Sequence, residues 1–292
     1  MIPLDQAARA RLADRFGPGV APWCDELPAL LGKLATRWHL EYLAAIPGNT
    51  GRTLLCRDGT GRSVVLKVTP ELDIAATEAS ALRAWAGCSR VVRLLDSDPD
   101  TGAVLLEGIE PGTQLAAAPG AIPLDEVADL LTQLHSVPGA DGVPTVAGRV
   151  AAMFDLAERR WQGPEAEERL PRALLRRSRA AATALSADGP AQLVHGDLHP
   201  GNVLLGPAGI VAIDPRPCVG DGTFDAVDWA FLPMARGGSL DDGITALAGY
   251  LPDLDTGRLR RWCEALAVLV AMSPLRRDGP SPYTDALLRM VP

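Results

Sequence analysis

The sequence predicts an α+β protein of two lobes: a small antiparallel sheet carrying one helix, then a mainly helical lobe. Two patterns point there. Between residues 38 and 107, short apolar and β-branched runs alternate with turn residues in the order strand, strand, strand, helix, strand, strand. Beyond Pro123 the apolar residues recur at helical spacing for most of the remaining chain. Size agrees, because 292 residues make one large domain or two modest lobes. With 47 % hydrophobic and 22 % charged residues the chain can bury a core, which excludes disorder and collagen-like repeats.

Residues 1–35 read as one or two amphipathic helices broken around 17–22, with Leu27, Leu30, Leu31 and Leu34 at helical spacing. Residues 38–46, 53–57 and 62–69 read as strands, separated by the loop at 47–52 and the turn Asp58-Gly59-Thr60-Gly61. Residues 73–86 follow as a helix, then 91–96 and 103–107 as short strands. Glu110-Pro111-Gly112 and the stretch 116–123 break the pattern. The expected division is therefore a first lobe at 1–106, a hinge at 107–112 and a second lobe at 113–292. In that lobe 124–137, 146–161 and 165–187 read as helices, with more after Phe224. One hairpin interrupts them, with strands at 203–205 and 210–213 around Gly206-Pro207-Ala208-Gly209.

Composition narrows the function. Asp plus Glu number 36 against 28 Lys plus Arg, so the surface repels a polyanion: nucleic acid is not an expected partner, and a small cation suits. The N-terminal stretch MIPLDQAARARLADRFG lacks the apolar core of a signal peptide. The longest apolar run, 265–272, falls far short of the roughly 20 residues of a membrane span. Five scattered cysteines without C-x-x-C argue against both a disulfide framework and a zinc site. A cytoplasmic monomer with no membrane partner is expected. The basic residues are nearly all arginine, and only Lys33 and Lys67 are lysines. A lysine kept in such a chain marks a place where a compact ammonium is wanted.

The chemistry gathers around the hairpin. Positions whose numbers sum to about 416 should oppose each other, which pairs Leu205 with Val211 and, at the open end, Asn202 with Asp214. An amide oxygen and a carboxylate facing one point suit Mg²⁺. Asp197 stands five residues before Asn202 on the Gly/Pro-rich stretch 195–202, where a carboxylate beside a metal suits a base for an attacking hydroxyl. Lys67 lies in the apolar strand Val64-Val65-Leu66-Lys67-Val68 and needs a partner there; Glu78 on the next helix is the natural one, leaving the ammonium to hold nucleotide phosphates. Gly48 and Gly51 in the loop at 47–52 could bring backbone amides over those phosphates. The segment from Glu107 to Ile109 offers backbone groups to an adenine edge.

HGDLHPGN at 195–202 followed by Ile213-Asp214-Pro215 resembles the aminoglycoside phosphotransferase family, whose fold is protein-kinase-like. The order Lys67, Glu78, hinge, Asp197, Asn202, Asp214 matches it from the β lobe onward. RAWAG with VVRLLD (83–96), LTQLHSVP (131–138) and AIDPRPCVGDGTFDAVDW (212–229) resemble the subgroup of streptomycin 6-phosphotransferases and hydroxyurea resistance kinases. The resemblance implies Asp197 as catalytic base, Asn202 and Asp214 as Mg²⁺ ligands and Lys67 as the α/β-phosphate contact. It further implies ATP or GTP as donor and a small-molecule hydroxyl as acceptor. A cationic antibiotic would draw on the acidic run Asp221, Asp225 and Asp228. The alternatives are a kinase of a sugar or other metabolite and a nucleotide-binding pseudokinase. A protein kinase is disfavoured because no A-P-E follows Asp214, and a metallohydrolase reading of His195-x-Asp197-x-His199 lacks further clustered ligands.

Overall fold

The computed structural model describes residues 4–48 and 50–292. The chain forms two compact units, one running to Gln114 and taking in Leu204–Ile213, the other made of Leu115–Val203 and Asp214–Pro292.

In the first unit, helix α1 (Gln6–Phe16) is capped by the Asp5 carboxylate, which accepts from the Ala8 N–H at 2.7 Å. A 3₁₀ turn at Pro18–Val20 separates it from α2 (Ala21–Trp38). The sheet follows as β1 (Glu41–Ile46), β2 (Arg52–Arg57) and β3 (Ser63–Val68), then α3 (Leu72–Ala84), β4 (Leu94–Asp98) and β5 (Ala103–Glu107). All pairings are antiparallel, in the order β1-β2-β3-β5-β4. Alternation along the strands decides the packing. Leu54, Cys56, Val64, Leu66, Val68, Ala103 and Leu105 meet Leu27, Leu31 and Leu34 of α2, while Val104 meets Ala75 and Ala79 of α3. Each fully buried leucine contributes about 2 kcal/mol, so α2 is fastened by its leucine stripe.

The hairpin belongs to this unit, which differs from the single break expected at 107–112. Strand β6 (Thr113–Gln114) pairs with Leu205 and Leu204 of the hairpin's first strand. On the other side Val92 donates to the Ala212 carbonyl at 3.0 Å, and Ala212 donates to Arg90 at 2.8 Å. Val91 is spent on this bridge, which is why β4 begins at Leu94 rather than at 91. Trp38, expected in a strand, ends α2 instead: His39 takes the left-handed conformation (φ 51°) that stops the helix, and the Trp38 indole donates to Asp96 at 2.6 Å.

The second unit contains α4 (Leu124–His135), α5 (Val146–Arg160), α6 (Pro164–Arg169) and α7 (Arg172–Ser186). The single helix expected at 165–187 is thus two. Leu170 turns extended and Pro171, with no N–H to give, cannot carry the ladder through. Strand β7 (Gln192–Val194) comes next, then the hairpin strands β8 (Val203–Gly206) and β9 (Gly209–Ala212), and β10 (Cys218–Gly220). β7 and β10 pair antiparallel, Val194 opposite Cys218, in a two-stranded sheet. Helices α8 (Val227–Phe231), α9 (Leu240–Ala248), α10 (Thr256–Asp278) and α11 (Pro282–Arg289) complete the unit. The core of α10 includes Leu259, Trp262, Cys263, Leu266, Val268 and Leu275. Among the described residues no helix is long and apolar enough to cross a membrane.

Candidate active site

Strand β7 delivers the chain into the stretch 195–202, and its first three residues are fixed by side-chain and backbone groups from distant segments. Asp225, in the 3₁₀ turn before α8, accepts from the His195 N–H (2.8 Å, Oδ2) and the Gly196 N–H (2.9 Å, Oδ1). His135 Nε2 lies 3.1 Å from the same Oδ2. From the segment before β10, the Arg216 N–H donates to the His195 carbonyl at 2.8 Å. Gly196 has φ 75°, and a Cβ there would strike the Arg216 carbonyl, so the position admits only glycine. Leu198 is buried and pins the loop's centre.

Asp197 then projects from a rigid backbone. Its Oδ1 accepts from Arg149 Nη2 at 3.1 Å, and Arg149 Nε donates to the Gly196 carbonyl at 2.9 Å. Asn202 Nδ2 donates to the Asp197 carbonyl at 3.0 Å and to its Oδ2 at 3.3 Å. With the side chain 38 % exposed, the carboxylate remains open to an incoming group. The His199 Nδ1 accepts from the Gly201 N–H at 3.0 Å, an arrangement that shapes the turn. His195 is fully buried. Among the described residues no three His, Cys, Asp or Glu side chains are grouped as a metal-binding set.

Asn202 and Asp214 flank the adjacent strands β8 and β9, so both stand at the hairpin's open end. Asp214 has φ 55°, a left-handed conformation uncommon for a residue with a side chain and held here against its preference. The Asn202 amide nitrogen is committed to Asp197, which turns the amide oxygen to the opposite side. An amide oxygen and a carboxylate are the hard donors that fit Mg²⁺.

In the first unit Lys67 Nζ donates to both carboxylate oxygens of Glu78, at 2.6 and 2.8 Å. The side chains are 18 % and 4 % exposed. Gly51 packs where a Cβ would meet the Val68 carbonyl, and Thr69 Oγ1 donates to the Thr50 carbonyl at 2.7 Å, tying that loop to the end of β3. Gly48 sits beside the Thr53 hydroxyl, and Asn49, part of the same predicted loop, lies outside the described residues. The Glu107 carboxylate accepts from the Arg93 N–H at 2.8 Å, and the Glu107 N–H donates to the Arg93 carbonyl at 3.0 Å. Ile109 is half-buried.

The three acidic residues proposed for the acceptor have separate fates, which corrects their grouping. Asp221 is buried and accepts from Arg258 Nε and Trp262 Nε1, both at 2.5 Å; its carboxylate fastens α10. Asp225 is buried beneath the catalytic loop. Asp228 alone of the three is open to solvent, yet protein crowds it. Desolvation pushes its pKa up to about 6; His199 opposes the rise, and Asp197 and Asp225 add to it. Cys263, raised to about 12, and Tyr283, also raised, are each shifted chiefly by burial, with the Asp228 charge contributing.

Residues 37–279 match the family described as aminoglycoside/hydroxyurea antibiotic resistance kinases. The chain belongs to that family. It is 34 % identical over 247 residues to a hydroxyurea phosphotransferase of Kitasatospora aureofaciens, covering 81 % of this chain and 69 % of the relative. It is 32 % identical over 239 residues to a streptomycin 6-kinase of Streptomyces glaucescens, covering 77 % and 73 %. The fold is shared with choline kinase LicA from Streptococcus pneumoniae: TM-score 0.64, 15 % identity, 91 % of this chain and 97 % of that one. The chain is therefore a phosphotransferase of protein-kinase-like fold.

Two site residues escaped the sequence reading. Arg149 lies 48 positions before Asp197 and is one of many arginines. His135, 90 positions before Asp225, had no visible partner along the chain. Only Arg149's place near the start of α5, three residues past its N-terminus, could have drawn notice.

Proposed function

We propose that this kinase transfers the γ-phosphoryl group of ATP to a hydroxyl of a cationic aminoglycoside-type antibiotic, with streptomycin the first candidate. The observation that carries the chemistry is the Asp197 carboxylate, open on one side and held at both oxygens by Arg149 and Asn202. A base so fixed orients an incoming hydroxyl and takes its proton. The hydroxyl oxygen bonds to the γ-phosphorus as the bond to the β–γ bridging oxygen breaks; ADP leaves and the proton passes to Asp197.

Lys67, oriented by Glu78, contacts the α- and β-phosphates, with backbone amides around Gly48 and Gly51 beside them. Backbone groups of Glu107 and Ile109 meet the adenine edge. Asn202 and Asp214 hold Mg²⁺, which when bound neutralises phosphate charge. Asp228 takes the acceptor's guanidinium or amine, and this exposed carboxylate next to the catalytic loop favours a cation over a neutral acceptor such as hydroxyurea. The reaction runs in the cytoplasm on this reading, which ATP as donor and five free cysteines support.

The test is ATP consumption by the purified protein with streptomycin, hydroxyurea or a neutral sugar, together with product masses. One phosphate added to streptomycin is expected. Phosphorylation of hydroxyurea or the sugar, with streptomycin untouched, overturns the acceptor assignment and leaves the catalytic one standing.

A further inference from the structure

We propose that Arg149 is a positioning residue for phosphoryl transfer, setting the Asp197 carboxylate in the orientation that receives the acceptor hydroxyl. This rests on the reading of Asp197 as the base. One edge of the guanidinium spans two successive residues, Nε to the Gly196 carbonyl (2.9 Å) and Nη2 to Asp197 Oδ1 (3.1 Å). A planar group bonded to both a main-chain oxygen and the next residue's carboxylate fixes that side chain relative to its own backbone. Asn202 does the same from the other oxygen. The plane of the carboxylate is then defined at both ends.

The arm that carries Arg149 is rooted in the same framework as the loop it reaches. Thr145 caps α5 by accepting from the Gly148 N–H at 3.1 Å. The residue before it, Pro144, accepts from the Val219 N–H of β10 at 2.8 Å. Gly220 leaves room for Val146 at the start of α5. β10 pairs with β7, which runs directly into His195. Arg149 and Asp197 therefore project from one strand pair and its attached helix, and their separation is set by backbone rather than by side-chain reach.

A residue that merely props up the loop and one that orients the base differ in what they move. Loss of the prop lowers stability and with it every activity; loss of the positioning contact lowers turnover while nucleotide affinity holds. The experiment compares Arg149→Met, Arg149→Lys and Asp197→Asn. Readouts are transfer to streptomycin, acceptor-free hydrolysis of Mg·ATP, Mg·ATP affinity by calorimetry and Tm. Displacement of a reacting group by about 1 Å costs on the order of 10²-fold, so Arg149→Met should lower kcat about 10- to 100-fold in both reactions. Its nucleotide Kd should stay within about twofold of wild type, because the contact acts on the base. Arg149→Lys, which reaches one of the two oxygens, should recover part of kcat and serves if the methionine variant does not fold. Unchanged kcat, or a loss of nucleotide affinity equal to the loss of turnover, overturns the proposal. If Asp197→Asn keeps its turnover, the base assignment fails and takes this inference with it. If Asp197→Asn is inactive while Arg149→Met is not, this inference fails alone.

Discussion

The first unit holds its ammonium in a compact buried ion pair, whereas the second holds its carboxylate loop with residues from three other segments and with Asn202 of the loop itself. Lys67 and Glu78 meet across β3 and α3 with both carboxylate oxygens engaged. The loop from His195 to Asp197 is instead shared among Asp225, Arg216, Arg149 and Asn202. Concentrated charge makes the first arrangement brittle, because removing one side chain takes a whole two-oxygen contact from the other. Distribution makes the second tolerant of partial loss in stability while its geometry stays exacting.

The largest effect should come from Glu78→Ala. It takes the bidentate carboxylate away from the Lys67 ammonium and should cost about 3–5 kcal/mol of stability by chemical denaturation, along with most Mg·ATP affinity. A variant as stable as wild type would show that the pair is not what holds that face together. Asp225→Asn should cost less, about 1.5–3 kcal/mol, since one of two charge-assisted bonds to the loop is weakened or reversed. Turnover should fall more than nucleotide affinity, and equal falls would argue that the loop is not Asp225's main concern.

Asp228→Asn should be the gentlest. Ionised above about 6, Asp228 binds a cation better as pH rises from 5 to 7, so the wild-type KM for streptomycin should fall over that range. The asparagine variant should show a higher KM without that slope. Stability runs the other way: a carboxyl whose folded pKa is raised from 3.8 to about 6 disfavours the fold as pH climbs through that interval. Tm at pH 8 should therefore not drop in the variant, and a drop would make Asp228 a structural residue.

What was readable in the sequence had short reach. Lys67 announced itself as a lysine in an apolar strand of an arginine-rich chain, and Glu78 lies eleven positions away on the next element. Asp197, Asn202 and Asp214 bracket one hairpin, so local spacing revealed them. Asp221 and Asp228 looked alike because what separates them is Arg258 and Trp262, 37 and 41 positions downstream. β7 and β10 are three residues each, too short for alternation to register, yet they set the path into the catalytic loop. Helix ends at Trp38 and Leu170 were misplaced because an apolar run does not say where a left-handed residue or a following proline will stop it.

The hairpin at Leu204–Ile213 gives the chain an order of manufacture. The first unit contains residues from before Gln114 and from this later segment, with Val91 bridged to Ala212 across 121 positions. During synthesis that unit stays incomplete until residue 213 has left the ribosome, by which time α4, α5 and α7 are already out. A ribosome stalled or a message cut after the first sheet would release a sheet lacking its last pieces, and no single cut divides the chain into two self-sufficient halves. The two bodies are therefore built together along one stretch of chain rather than one after the other.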